Sequence, residues 1–232
     1  MSFKNLFLGL FIITLTIYFG AAFFYDPKFV LYIKPLVIPF FFLFSIFHKK
    51  INFSLEYLIF VLFFYLGENC ILFMEKIPDL FKMGLIFYLG SYMFLIWMSL
   101  PYLKKLNFWN VLKGYTVLVV LLNGCFLILI MYIVTRSLNN NLLNCIVLLN
   151  AVSAIILSIC SVLYLSTQFN QKSVFYFFGA FSIILSDVFS ALVTYYLQDF
   201  KLNFIERFLH FAGFVLIYLF YIEKDKTSEI DY

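Results

Sequence analysis

The chain has 232 residues, of which 65% are hydrophobic and only 12% are charged. A soluble fold of this length needs more polar surface than these residues can supply, so the composition excludes a water-soluble globular protein and indicates a chain whose solvent is the bilayer. The formal net charge of +4 comes from short segments between apolar stretches and forms no basic patch, so nothing in it indicates a nucleic-acid partner.

Eight apolar stretches follow one another along the chain, each close to the ~20 residues that a helix needs to cross a hydrocarbon core. In chain order, the predicted helices lie near residues 5–25, 29–47, 54–74, 81–102, 111–134, 142–165, 174–197 and 204–222. Charged residues, prolines and asparagines separate them. The sequence therefore predicts an all-α, polytopic membrane helix bundle, in which residues 1–222 form a single transmembrane domain and residues 223–232 form a short charged tail.

The distribution of basic residues predicts the orientation of the bundle. The first apolar run is longer than the core of a usual signal peptide, so we expect a retained helix and eight crossings, with both termini on one side. That side has nine basic residues and the other has six: Lys4, Lys49, Lys50, Lys104, Lys105, Lys113, Lys172, Lys224 and Lys226 against Lys28, Lys76, Lys82, Arg136, Lys201 and Arg207. Cytoplasmic loops are richer in basic residues, so we expect both termini in the cytoplasm.

Cysteine, histidine and glycine patterns indicate no metal site or cofactor. The four cysteines, which show no CxxC spacing and fall in apolar stretches, are Cys70, Cys125, Cys145 and Cys160. We interpret them as small core residues and expect no disulfide. His48 and His210 are isolated from each other and from any HExxH pattern, and Gly-rich cofactor loops are missing.

Three ionisable residues fall deep within predicted helices, namely Lys34, Glu68 and Asp187. An ionised group in hydrocarbon costs several kcal/mol unless it is paired or hydrated, so each is a candidate functional residue. A rise of ~1.5 Å per residue puts Glu68 and Asp187 both roughly 10 Å below the outer surface, with Lys34 and His210 in the same layer. Three further polar residues fall slightly deeper by the same count: Asn123, Asn150 and Tyr92.

The simplest interpretation of these residues is a structural ion pair, in which Lys34 neutralises one carboxylate. One lysine cannot neutralise two acids, however, and repulsion between the carboxylates together with their desolvation favours one protonated and one ionised acid. Acid–base hydrolysis requires such a division. Gly67 before Glu68 and Ser186 before Asp187 are small residues of the kind that let membrane helices approach closely.

In this order, these residues resemble the YhhN family of eight-helix membrane proteins, which includes lysoplasmalogenases. The matches are a Lys–Pro near the predicted start of the second helix (Lys34-Pro35), a Gly–acid pair in the third (Gly67-Glu68), an F-x-x-G-L start to the fourth (Phe81, Gly84, Leu85), and Gly–Ala with a following Ser–Asp in the seventh (Gly179-Ala180, Ser186-Asp187). The sequence departs from the family pattern at Glu68, where the family typically has Asp, and at Tyr92, where it has His. It also departs near His210 and Gly213, where the family has Tyr and Gln.

The resemblance implies hydrolysis of the vinyl-ether bond of a lysoplasmalogen, which releases a fatty aldehyde and a glycerophospho-alcohol. It implies a lysophospholipid substrate that enters from the bilayer, with Asp187 and Glu68 as the catalytic acids and no cofactor. Lys34 then tunes their protonation or contacts the phosphate. The residues expected to line the substrate site are Asn123, Asn150, Tyr92 and His210.

Two other functions stay open at this point. In a proton-coupled transporter, the same buried acids would bind and release a proton or cation, although the sequence shows no inverted repeats or broken half-helices in matching positions. In a catalytically degenerate family member, the changes at Glu68 and Tyr92 would leave a lipid-binding protein.

Overall fold

The computed structural model describes residues 3–24, 27–48, 54–74, 76–103, 117–118, 120–122, 124–125, 128, 132, 141–195 and 200–223. Within these residues, the chain forms seven continuous helices: α1 (Phe3–Phe24), α2 (Pro27–His48), α3 (Leu55–Leu72), α4 (Asp79–Leu103), α5 (Asn141–Thr167), α6 (Gln171–Tyr195) and α7 (Phe200–Ile222). No strand occurs in these ranges. The predicted all-α helix bundle is confirmed.

Six of the described helices are long and apolar enough to cross a membrane, namely α1 and α3 to α7. The apolar stretch Ile33–His48 of α2 is shorter. Helices of this length and composition match the thickness of a hydrocarbon core and satisfy their own backbone hydrogen bonds within it. The protein is therefore a multi-pass membrane protein.

The predicted helices other than the fifth correspond to α1 to α7, and their ends differ by no more than four residues. The predicted fifth helix, residues 111–134, lies mostly outside the described residues. Those of its residues that are described, 117–118, 120–122, 124–125, 128 and 132, are helical.

The start of α6 illustrates why helix ends were misplaced. The side chain of Asn170 accepts a hydrogen bond from the Ser173 N–H at 2.8 Å, and the Ser173 hydroxyl accepts one from the Asn170 N–H at 3.2 Å. This reciprocal pair caps the first turn, so the helix begins at Gln171 and not near residue 174. Lys172, which precedes the helix predicted from residue 174, is therefore helical, and its ammonium group lies 5.0 Å from the ring centre of Tyr102.

Two further expectations are wrong. Pro35 does not lie near the start of its helix, since α2 begins at Pro27 and contains both Pro35 and Pro39 in its interior. A proline is favourable at the first position of a helix, so Pro27 extends α2 by two residues toward the N-terminus. The cysteines are free thiols, as expected, but Cys125 and Cys145 are exposed and do not belong to the protein core.

The chain divides into two compact units, Met1–Phe87 and Tyr88–Tyr232, with the boundary inside α4. In the first unit, aromatic rings pack α1 against α2, with Phe11 and Phe41 centred 4.9 Å apart. Among the described helices of the second unit, α6 and α7 have the most extensive packing. The single transmembrane domain of residues 1–222 stays a prediction.

Two glycines bring α6 and α7 close together. A Cβ atom on Gly213 would lie 3.0 Å from the carbonyl oxygen of Gly179 and 3.1 Å from the backbone nitrogen of Ile183. A Cβ atom on Gly179 would lie 2.8 Å from the side chain of Ile217. The two helix backbones can approach this closely only because both positions lack a side chain.

We expect Gly213→Ala to lower the stability of the protein, because the new methyl group meets backbone atoms that cannot rotate away. Overpacking of this kind costs about 1–3 kcal/mol, and thermal unfolding in detergent measures it as a lower Tm. Gly9→Ala is the matched control, because nothing lies within 4 Å of a Cβ atom there and alanine favours a helix. Equal Tm values for the two variants would contradict the close contact.

Candidate functional site

In the first unit, Lys34 of α2 and Glu68 of α3 form an ion pair. The Lys34 Nζ atom lies 2.6 Å from the Glu68 Oε2 atom. The Glu68 side chain is 7% exposed and that of Lys34 is 20% exposed. The structure thus brings together two of the three ionisable residues that the sequence placed inside the membrane.

The sequence of α3 explains why Glu68 needs this partner. Phe60, Phe64 and Glu68 are spaced four residues apart, so they lie on one face of the helix, and all three are buried. Gly67 is buried beside them. A carboxylate at the end of such an apolar face is stable only when a cation or hydrogen-bond donors offset its desolvation, and the Lys34 ammonium provides that charge.

In the second unit, Tyr92 of α4 donates a hydrogen bond from its phenol to the Oδ2 atom of Asp187 in α6. Tyr92 is fully buried, whereas Asp187 is half-buried. Tyr92 is the position at which the resembling family has a histidine. The phenol cannot carry a proton between groups near neutral pH as an imidazole can, but it supplies a neutral hydrogen-bond donor to the carboxyl.

His210 of α7 meets the residue beside Asp187. Its Nδ1 atom lies 3.3 Å from the hydroxyl oxygen of Ser186, and both side chains are buried. The hydroxyl donates when Nδ1 carries no proton. Sequence reasoning treated Ser186 only as a small packing residue and missed this contact. The sequence does contain one indication of this contact. Ser186 follows Gly179 by seven residues, so both lie on the same face of α6 and can contact the same neighbouring helix.

The two predicted lining asparagines have different outcomes. The Asn150 side chain donates to the carbonyl of Ile146, one turn earlier in α5, at 3.0 Å. Asn123 lies outside the described residues. Among the residues that the structure describes, no three His, Cys, Asp or Glu side chains are grouped so that they could hold a metal ion.

The two acids therefore have different contacts. Glu68 faces a positively charged ammonium group, whereas Asp187 accepts from a neutral phenol. Each acid belongs to a different compact unit, so the predicted placement of both in one layer stays a prediction.

Comparisons with protein-family models, with curated proteins and with solved structures find no match to this chain. The resemblance to the YhhN family rests on the short motifs named above.

We expect Lys34→Met to destabilise the protein by about 3 kcal/mol, because it leaves a buried carboxylate without its cation. Thermal unfolding in detergent measures the loss, and adding Glu68→Gln to this variant should restore part of it by removing the charge.

Lys82→Met is the matched control for the loss of a lysine. Lys82 pairs with Asp79 at 2.9 Å, but the Asp79 side chain is 81% exposed, so water replaces the lost partner. If Lys34→Met and Lys82→Met had the same effect on Tm, the ion pair with Glu68 would contribute nothing to stability.

Proposed function

We propose that the protein is a membrane-embedded lipid hydrolase, similar to lysoplasmalogenases, which cleaves the vinyl-ether bond of a lysophospholipid. One observation carries the proposal: two carboxyl groups lie within membrane-spanning helices, one against an ammonium group and one against a phenol. Ionisable residues inside a membrane are costly and are retained mainly for function. The order of the Lys34-Pro35, Gly67-Glu68 and Ser186-Asp187 motifs gives the substrate class.

The different surroundings of the two acids suit the two halves of the reaction. Asp187, next to a neutral donor, is the acid that holds and delivers a proton. Glu68, paired with the Lys34 ammonium group, is the carboxylate that stabilises positive charge and activates water. In hydrolases with two catalytic carboxyls, different environments usually distinguish the acid from the base.

In the reaction, Asp187 protonates the outer alkene carbon of the vinyl ether, and the C=C electron pair forms the new C–H bond. The resulting oxocarbenium ion is stabilised by the carboxylate. Water then adds to the carbon next to the oxygen and gives one proton to the Glu68 carboxylate, which produces a hemiacetal. As the C–O bond to the glycerol breaks, the glycerol oxygen takes this proton from Glu68 and the hemiacetal hydroxyl returns its proton to Asp187. The products are a fatty aldehyde and a glycerophospho-alcohol, both acids are back in their starting states, and the sum is the addition of one water.

A substrate with a single hydrocarbon chain fits the location of these residues. The acids lie on helices whose outer faces are apolar, with exposed side chains such as Leu62 on α3 and Phe178 on α6. A lysolipid already dissolved in the bilayer can approach such helices from the side without crossing water. A water-soluble substrate would have to lose its hydration to enter hydrocarbon beside these helices.

We expect Asp187→Asn and Glu68→Gln each to lower kcat by about 100-fold or more, the usual contribution of a general acid or base. The assay is aldehyde release by the purified protein in lipid nanodiscs, with an alkenyl lysolipid as substrate and an acyl lysolipid as the specificity control. Asp79→Asn removes an exposed acid and should leave kcat unchanged.

The double variant tests whether the two acids serve one reaction. Groups that act as a unit are strongly non-additive, so combining both changes should cost little more than either alone. Unchanged aldehyde release in both single variants would reject the mechanism. Lysolipid binding without turnover by the wild-type protein would reject hydrolysis, and proton or solute flux that Asp187→Asn abolishes would identify a transporter instead.

The proposed orientation has both termini in the cytoplasm, on the strength of nine basic residues against six. We expect green fluorescent protein fused after Tyr232 to fluoresce and alkaline phosphatase at the same site to be inactive. Fusions after Leu138, in the predicted outer connection, are the control and should behave in the opposite way. Active phosphatase after Tyr232 would overturn the orientation.

A further inference from the structure

Adjacent residues of α6 bond to two different helices of the second unit. Ser186 contacts His210 of α7, and Asp187 accepts from Tyr92 of α4. The side chains of consecutive residues in an α-helix point about 100° apart, so the rotation of α6 about its own axis determines the geometry of both contacts together. Rotating α6 to lengthen one of them moves the other as well.

The contact between α6 and α7 is regular from Gly179 to Ser186 of α6. Gly179 lies against Ile217, Ile183 lies against Gly213, and Ser186 meets His210. From the first of these contacts to the last, the residue number rises by seven along α6 and falls by seven along α7. Seven residues are about two helical turns, and the opposite directions are those of antiparallel helices. The apolar part of this contact holds the helices close together, but contacts between aliphatic groups have no preferred direction.

A hydrogen bond, by contrast, is directional. It weakens steeply when its angle or distance departs from the favoured range, and a buried hydroxyl or imidazole that loses its partner costs about 1–3 kcal/mol. The Ser186–His210 contact therefore restrains the rotation of α6 more sharply than the neighbouring isoleucines do. Asp187, one residue further on, is carried by the same backbone.

We propose that His210 is a positioning residue, which acts through Ser186 to hold the Asp187 carboxyl against the Tyr92 phenol. It does not touch the substrate in this role. The catalytic consequence rests on the proposed function, because the orientation of Asp187 matters for turnover only if Asp187 delivers the proton. The structural consequence, a defined Tyr92–Asp187 hydrogen bond, does not depend on any activity.

Infrared spectroscopy of the protein in nanodiscs tests the structural consequence. The carboxyl C–O stretching band of Asp187 is identified as the band that disappears from the spectrum of Asp187→Asn. The spectrum of Tyr92→Phe then gives the position of this band when the phenol does not donate a hydrogen bond to Asp187. We expect Ser186→Ala and His210→Ala to shift the band toward its position in Tyr92→Phe. Ser190→Ala, which changes an exposed serine on the same helix, should leave it unchanged.

Rescue separates positioning from simple packing. The amide of His210→Asn has an acceptor near the place of Nδ1, so it should return the band toward the wild-type position, whereas His210→Ala should not. Ser186→Ala removes only one oxygen atom, so it reports on the bond even if the histidine variants fold poorly. A wild-type band in Ser186→Ala would overturn the proposal.

Turnover distinguishes this proposal from the proposed function. If the wild-type protein hydrolyses vinyl ethers, Ser186→Ala should lower kcat by up to about 100-fold with little change in KM, as expected for a misplaced catalytic group. If the wild-type protein shows no hydrolysis, the proposed function fails, and the infrared bands still decide whether His210 positions Asp187.

Discussion

Polar side chains within membrane-spanning helices are stable only when something inside the protein replaces water, and the contacts of the candidate functional residues follow from this constraint. Lys34 meets Glu68, Tyr92 meets Asp187, and Ser186 meets His210. Each contact joins side chains on two different helices. The hydrocarbon environment makes each of them energetically important, because a group left without its partner would lose the hydrogen bonds that it makes in water.

The same constraint gives the two acids different partners. Glu68 lies against an ammonium group, whereas Asp187 accepts a hydrogen bond from a phenol. This difference is what makes a hydrolase a better proposal than a structural ion pair alone. A structural ion pair explains Lys34 and Glu68, but it does not explain why a second carboxyl, Asp187, lies within a helix of this kind and contacts Tyr92.

Local patterns of the sequence predicted much of the fold. The length of the apolar runs located seven helices to within a few residues, because a membrane span must be both long and apolar. The errors lie where single hydrogen bonds or backbone geometry decide, as at the Asn170–Ser173 cap and at Pro27. Hydropathy averages over many residues and does not register such features.

For the site, the sequence by itself determined which residues are chemically exceptional, since Lys34, Glu68 and Asp187 stand out against apolar neighbours. Only the tertiary structure decided their partners. Tyr92 and Asp187 are 95 residues apart in the chain, and Ser186 and His210 are 24 apart. Whether such residues meet depends on how each helix is rotated about its axis and which helix lies beside it. Packing between helices, including the close contact at Gly179 and Gly213, together with hydrogen bonds such as that between Ser186 and His210, determines that rotation, and no local sequence pattern encodes it.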